Sequence, residues 1–153
     1  TMKYKKFNKQ DFKKLHPAGS LGAQLRTVDD VMLVGNKIPF VRENMLMSEA
    51  IKILSEKKLG ILIARNNKKK TTGIITDGQI RRFNEKKINL HNLKVKDIMT
   101  KNPISINKDS LAAKALSIMN NKKITSLCVH DKMKKQNTIG VLHIHNILGV
   151  NIA

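Results

Sequence analysis

Two halves of this chain are copies of one another, and the duplication limits its fold more than any other feature of the sequence. Val28-Asp29-Asp30-Val31-Met32 returns as Val95-Lys96-Asp97-Ile98-Met99, and Ile38-Pro39-Phe40-Val41 matches Pro103-Ile104-Ser105-Ile106. The stretch from Leu46 to Lys58 matches that from Leu111 to Lys123, and Gly73-Ile74-Ile75-Thr76 matches Gly140-Val141-Leu142-His143. The offset grows from 65 to 67 residues within lysine-rich loops, where insertions cost little.

Each copy follows the same pattern. In the first, Leu46, Ala50, Ile51, Ile53, Leu54 and Lys57 keep a 3.6-residue period, so an amphipathic helix is expected, with Ser48 and Glu49 in its first turn and Gly60 as its stop. Ile61-Leu62-Ile63-Ala64 and Thr72-Gly73-Ile74-Ile75-Thr76 flank the polar run Asn66 to Lys70 and read as a β-hairpin. A second helix starts near Asp77 and runs through Ile80 and Phe83. The unit is therefore strand, helix, strand, strand, helix, repeated from Ile104 through Leu148. Two helices cover one face of each three-stranded sheet, and two copies can bury the remaining apolar faces against each other.

Charge bounds the partners. The net charge is +19 and the aromatic content 3%. The excess comes from lysine rather than arginine and is spread along the chain, so little is available to stack on bases and no specific nucleic-acid partner is expected. The lysine runs Lys68 to Lys70 and Lys132 to Lys135 fall in the two hairpin turns and read as solvated loop tips. No segment has the apolar length of a membrane span, and the N-terminus lacks a secretory pattern, so no membrane partner and a cytoplasmic protein are expected. The single cysteine, Cys128, reads as a small buried hydrophobe within a strand.

These doubled motifs, from Val28 to Gly149, resemble the CBS-domain pair, also called a Bateman module. Within it, Gly73-Ile74-Ile75-Thr76-Asp77-Gly78-Gln79-Ile80-Arg81-Arg82 resembles a segment of arabinose-5-phosphate isomerases, as do Ile124-Thr125-Ser126 with Gly140 to Asn146, and Leu15-His16-Pro17-Ala18-Gly19-Ser20-Leu21-Gly22. The resemblance implies an α/β fold of tandem β-α-β-β-α repeats with pseudo-twofold symmetry. It also implies that residues 1–27 are the tail of a sugar-isomerase domain and its linker, with the repeats at 28–88 and 89–153. That family converts ribulose 5-phosphate to arabinose 5-phosphate on the route to the lipopolysaccharide sugar Kdo. Its chemistry resides in the isomerase domain, which is expected to lie outside this chain, so the chain alone should catalyse nothing. The expected role is regulatory, with a purely structural oligomerisation module as the alternative.

His16 is the one catalytic candidate, and the resemblance gives it a part in the active site of a complete enzyme, where an imidazole can move a proton near neutral pH. In ligand-binding CBS pairs the turn before the last helix of each repeat meets phosphate and ribose. Here that places Thr76, Asp77, Gln79, Arg81 and Arg82 in one candidate site and His143, His145 and Asn146 in the other. Gln79 and Asn146 stand where such pairs carry a carboxylate, so a weakened preference for adenine nucleotides is expected. His143-x-His145 would share one face of a strand, yet no acidic or cysteine cluster completes a metal site, so neither metal nor cofactor is expected. The expected partners are a small anionic ligand, such as cytidine monophosphate-Kdo or another nucleotide, and a second copy of the module in a homodimer.

Overall fold

The computed structural model describes residues 25–152, and His16 lies outside them. The chain begins with a short helix α1 (Val28–Val31) and a 3-10 turn (Gly35–Lys37), followed by β1 (Phe40–Arg42), α2 (Met47–Lys57), β2 (Ile61–Arg65), β3 (Thr71–Thr76) and α3 (Asp77–Glu85). The second copy repeats the order as α4 (Val95–Ile98), β4 (Thr100–Lys101), β5 (Ser105–Asn107), α5 (Ala112–Lys122), β6 (Ser126–His130), β7 (Gly140–His143) and α6 (Ile144–Ile152). Helix α2 stops earlier than Gly60: Lys58 takes a left-handed conformation at φ 57°, its N–H still bonded to the Leu54 carbonyl. Lys123 ends α5 the same way at φ 56°.

In each copy the first strand runs parallel to the second and the second antiparallel to the third. Alternation along the strands then separates the core into layers. Leu62, Ala64 and Ile75 face α2, where they meet Met47, Ala50 and Leu54. Leu127, Val129 and Leu142 face α5, against Ala112, Ala115, Leu116 and Met119. Ile61 and Ile63 point the other way and meet Cys128 and Val141 of the second sheet. The apolar sheet faces are thus buried on each other, which is why the unit occurs twice. Cys128 lies in this layer, and burial pushes its thiol up to about 12.

The lead-in segments cross over. Val28 is wholly buried, not with β1 and α2 that follow it, but among Ile106, Ala112 and Leu116 of the second copy. Val95 in turn packs with Val41, Met47 and Ala50 of the first. Backbone pairing obeys the same exchange: Thr27 bridges Leu111, Lys94 bridges Leu46, Leu33 bridges Val141, and β4 adds a fourth strand to the first sheet beside β3. Two glycines make room for the crossing chains. A β-carbon on Gly73 would stand 2.7 Å from Met99 Cγ and 2.8 Å from the Thr100 carbonyl oxygen. One on Gly140 would stand 2.5 Å from Met32 Sδ and 3.1 Å from the Leu33 carbonyl oxygen. On the pseudo-twofold axis the buried hydroxyls of Thr71 and Thr138, equivalent residues 67 apart, hydrogen-bond at 2.5 Å.

Candidate functional site

Strand β3 delivers Thr76 to the start of α3, and the local sequence fixes the junction. Thr76 is the N-cap: its hydroxyl accepts from the Gln79 N–H at 3.3 Å, and Gln79 Oε1 accepts from the Thr76 N–H at 3.0 Å. This reciprocal pair satisfies two of the helix's free backbone donors. Gln79 Nε2 donates onward to the Ile98 carbonyl at 3.3 Å, which ties the turn to the lead-in helix α4. Both ends of the Gln79 amide are therefore engaged within the protein. The Asp77 N–H donates to the Gly60 carbonyl at 3.0 Å, docking the turn on the start of β2.

Arg81 and Arg82 lie one helical turn further on, with exposed side chains. Side chains on a helix lean toward its N-terminus, so both curl back over the turn. A β-carbon on Gly78 would lie 3.3 Å from Arg82 Nη1 and 3.8 Å from Arg81 Nη2. Two guanidinium groups therefore converge on the positive end of a helix, where cations are electrostatically disfavoured and anions favoured. Asp77 is the one acidic residue in that first turn.

The second turn reproduces the backbone with other side chains. The Ile144 N–H donates to the Thr125 carbonyl at 2.8 Å, as Asp77 does to Gly60. The His143 N–H donates to Asn146 Oδ1 at 2.8 Å, and His143 Nδ1 accepts from the His145 N–H at 3.1 Å. An imidazole thus replaces the threonine hydroxyl as helix cap. His143 ends β7 whereas His145 lies in α6, so the two do not alternate along a strand; their rings stack with centroids 4.7 Å apart. Burial, and next the neighbouring His145, lower the His143 pKa. Ser126 faces His143 in strand register, and its buried Oγ has no hydrogen-bond partner among the described residues. It belongs to the Ile124-Thr125-Ser126 motif but is not among the candidate site residues, and its pairing with His143 places it at the edge of the second turn. Among the described residues no group of three or more His, Cys, Asp or Glu side chains could hold a metal ion.

The structure thus gathers Thr76, Asp77, Gln79, Arg81 and Arg82 at one helix start and His143, His145 and Asn146 at another. A cavity of about 310 Å³ is lined by Leu33, Asn36, Lys37, Glu56, Lys57 and Leu59, the last adjoining Gly60 beneath the first turn. Among the described residues no helix is long and apolar enough to cross a membrane.

The family model described as the CBS domain matches residues 28–86 and again 95–152. Over 96% of its length the chain is 36% identical to an uncharacterized protein of Rickettsia prowazekii, of which it covers 44%. Over 99% it is 33% identical to arabinose 5-phosphate isomerase KdsD of Yersinia pestis, of which it covers 45%. The chain therefore spans less than half the length of these relatives, and its counterpart in KdsD is the CBS region. Among solved structures, CBSX2 of Arabidopsis thaliana, determined in complex with AMP, superposes with a TM-score of 0.71 at 22% identity, covering 82% of this chain and 96% of that one.

Proposed function

The chain belongs to the CBS-domain family, as a tandem pair, and from that membership we propose that it is the ligand-sensing regulatory module of an arabinose-5-phosphate isomerase. The observation that carries the reading is the convergence of Arg81 and Arg82 over Gly78 at the start of α3. Two cations held at a helix N-terminus repel that end unless an anion lies between them, and a phosphate there would accept from both guanidiniums and from the first free N–H groups of the helix. The ligand is a nucleotide or nucleotide sugar. Cytidine monophosphate-Kdo is the candidate suggested by the resemblance to arabinose-5-phosphate isomerases, and AMP, bound by the Arabidopsis relative, is the comparison ligand. In the second turn His143 Nε2 is the group left to meet a sugar, since its Nδ1 is already engaged by the His145 N–H.

Regulation requires that the ligand bind two states of the parent enzyme unequally. The catalytic step, and with it His16, belongs to a sugar-isomerase domain, so the chain alone converts no pentose phosphate. The proposal includes a homodimer of modules, supported by the exposed apolar side chains of Val34, Ile88 and Ile104.

A thermal-shift series at fixed ionic strength tests the ligand reading, because selective binding to the folded state raises apparent stability. Cytidine monophosphate-Kdo should raise the melting temperature more than AMP, and Arg81→Ala with Arg82→Ala should abolish the rise. No shift with any nucleotide would leave the structural alternative, an oligomerisation module without a ligand. That alternative draws on the caps, which engage Thr76, Gln79 and Asn146 internally.

A further inference from the structure

The two lysine runs, far apart in sequence, meet at one end of the molecule. Lys70 of the first hairpin loop and Met133, Lys134, Lys135, Gln136 and Asn137 of the second line a shared cavity of about 290 Å³. The loops are braced to each other: the Thr71 N–H donates to the Gln136 carbonyl at 2.8 Å, beside the hydroxyl pair of Thr71 and Thr138. Each is also braced internally. Asn66 Oδ1 accepts from the N–H groups of Lys68 and Lys70, both at 3.0 Å. In the second loop the Lys134 N–H donates to the Asp131 carbonyl at 3.2 Å and the Asn137 N–H to the Lys134 carbonyl at 3.0 Å. Residues 66–70 and 131–137 together carry six lysines and a single carboxylate, Asp131. Lys135 is close enough to add to the lowering of the His130 pKa, which burial begins.

We propose that this double-loop cradle binds a compact polyphosphate group, one per chain. Lysine ammonium groups are mobile point charges suited to phosphate oxygens from several directions, and here both repeats supply them around one cavity. The chemistry argues against larger polyanions. Neither loop has an aromatic side chain on which a base could stack, and only Met133, 86% exposed, offers an apolar contact to a lipid surface. The site is separate from the α3 turn and stands or falls independently of the nucleotide reading.

Calorimetric titration of the chain with inorganic tripolyphosphate and with orthophosphate, at matched ionic strength, tests it. The expected result is saturation at one tripolyphosphate per chain, at least about tenfold tighter than orthophosphate, since each added phosphoryl group gains charged hydrogen bonds. Lys134→Ala with Lys135→Ala should weaken binding by about tenfold or more, Lys134→Arg with Lys135→Arg should retain it, and Arg81→Ala with Arg82→Ala should leave it unchanged. Unaltered affinity in the alanine variant, heat that does not saturate at one per chain, or loss in the Arg81/Arg82 variant would each overturn the proposal. Melting temperatures without ligand show whether the alanine variant is folded. Should it be unfolded, failure of the arginine variant to bind would be equally decisive.

Discussion

His143 shows how one residue can be tied to a single protonation state. Its Nδ1 accepts the His145 N–H, and an imidazolium has no lone pair to offer there. Protonation at Nδ1 therefore removes a helix cap as well as adding charge to a half-buried ring. The folded-state pKa is lowered below 6.5, so the stability linked to His143 is complete above that pH and is lost as the pH falls through the folded value. His130, lowered by burial and by Lys135, acts in the same direction. Denaturant unfolding should thus show a plateau near pH 7.5 and a decline toward pH 5.5. His143→Asn keeps a cap acceptor and should flatten part of the decline, whereas His143→Ala should cost about 0.5–2 kcal/mol at pH 7.5. A steeper decline in the asparagine variant would disprove the capping role. The first cap was legible in the sequence, because Thr76-x-x-Gln79 has the spacing of a capping box. The second was not: histidine falls outside the usual capping residues, and only the fold shows Asn146 reaching back to it.

At the scale of elements, the strand-helix-strand-strand-helix run of each copy followed from periodicity, which is a local property of the chain, whereas the short helices α1 and α4 and the added strand β4 carry no such pattern. Nor did the exchange of α1 and α4 follow from it. A short segment such as Val28-Asp29-Asp30-Val31-Met32 has the same pattern whichever core receives it, and the choice is made by contacts distant in sequence. The exchange nevertheless explains why Gly73 and Gly140 recur together with Met99 and Met32. Gly73→Ala and Gly140→Ala should each destabilise the protein by about 1–3 kcal/mol through overpacking. The rescues should differ. At Gly140 the nearest atom belongs to the flexible Met32 side chain and the Leu33 carbonyl stands at 3.1 Å, so Met32→Ala should recover much of the loss. At Gly73 the Thr100 carbonyl remains at 2.8 Å, so Met99→Ala should recover less. Chemical denaturation of the two double variants decides, and equal recoveries would count against the packing account.

For the molecule as a whole, crossed lead-ins mean that neither copy possesses a complete core of its own. Removing residues through Val34 takes Val28 out of the second cluster and the Leu33 bridge away from β7, although β5 through α6 stay intact in sequence. The burial of Val28 with its half-buried neighbours Val31 and Met32 predicts a loss of about 3 kcal/mol or more. Hydrogen exchange should find it first at the Val141 amide, which donates to the Leu33 carbonyl at 3.0 Å. Unchanged protection at Val141 would refute the interdependence. The hydroxyl pair of Thr71 and Thr138 carries a historical consequence. If one repeat once met an identical partner across a true dyad, this residue faced its own copy and needed a group that can donate and accept at once. A hydroxyl does both, whereas an ammonium or a carboxylate repels itself. A fused pair descended from such a dimer would carry two threonines separately mutable but not separately free, because any change at one would be judged against the other.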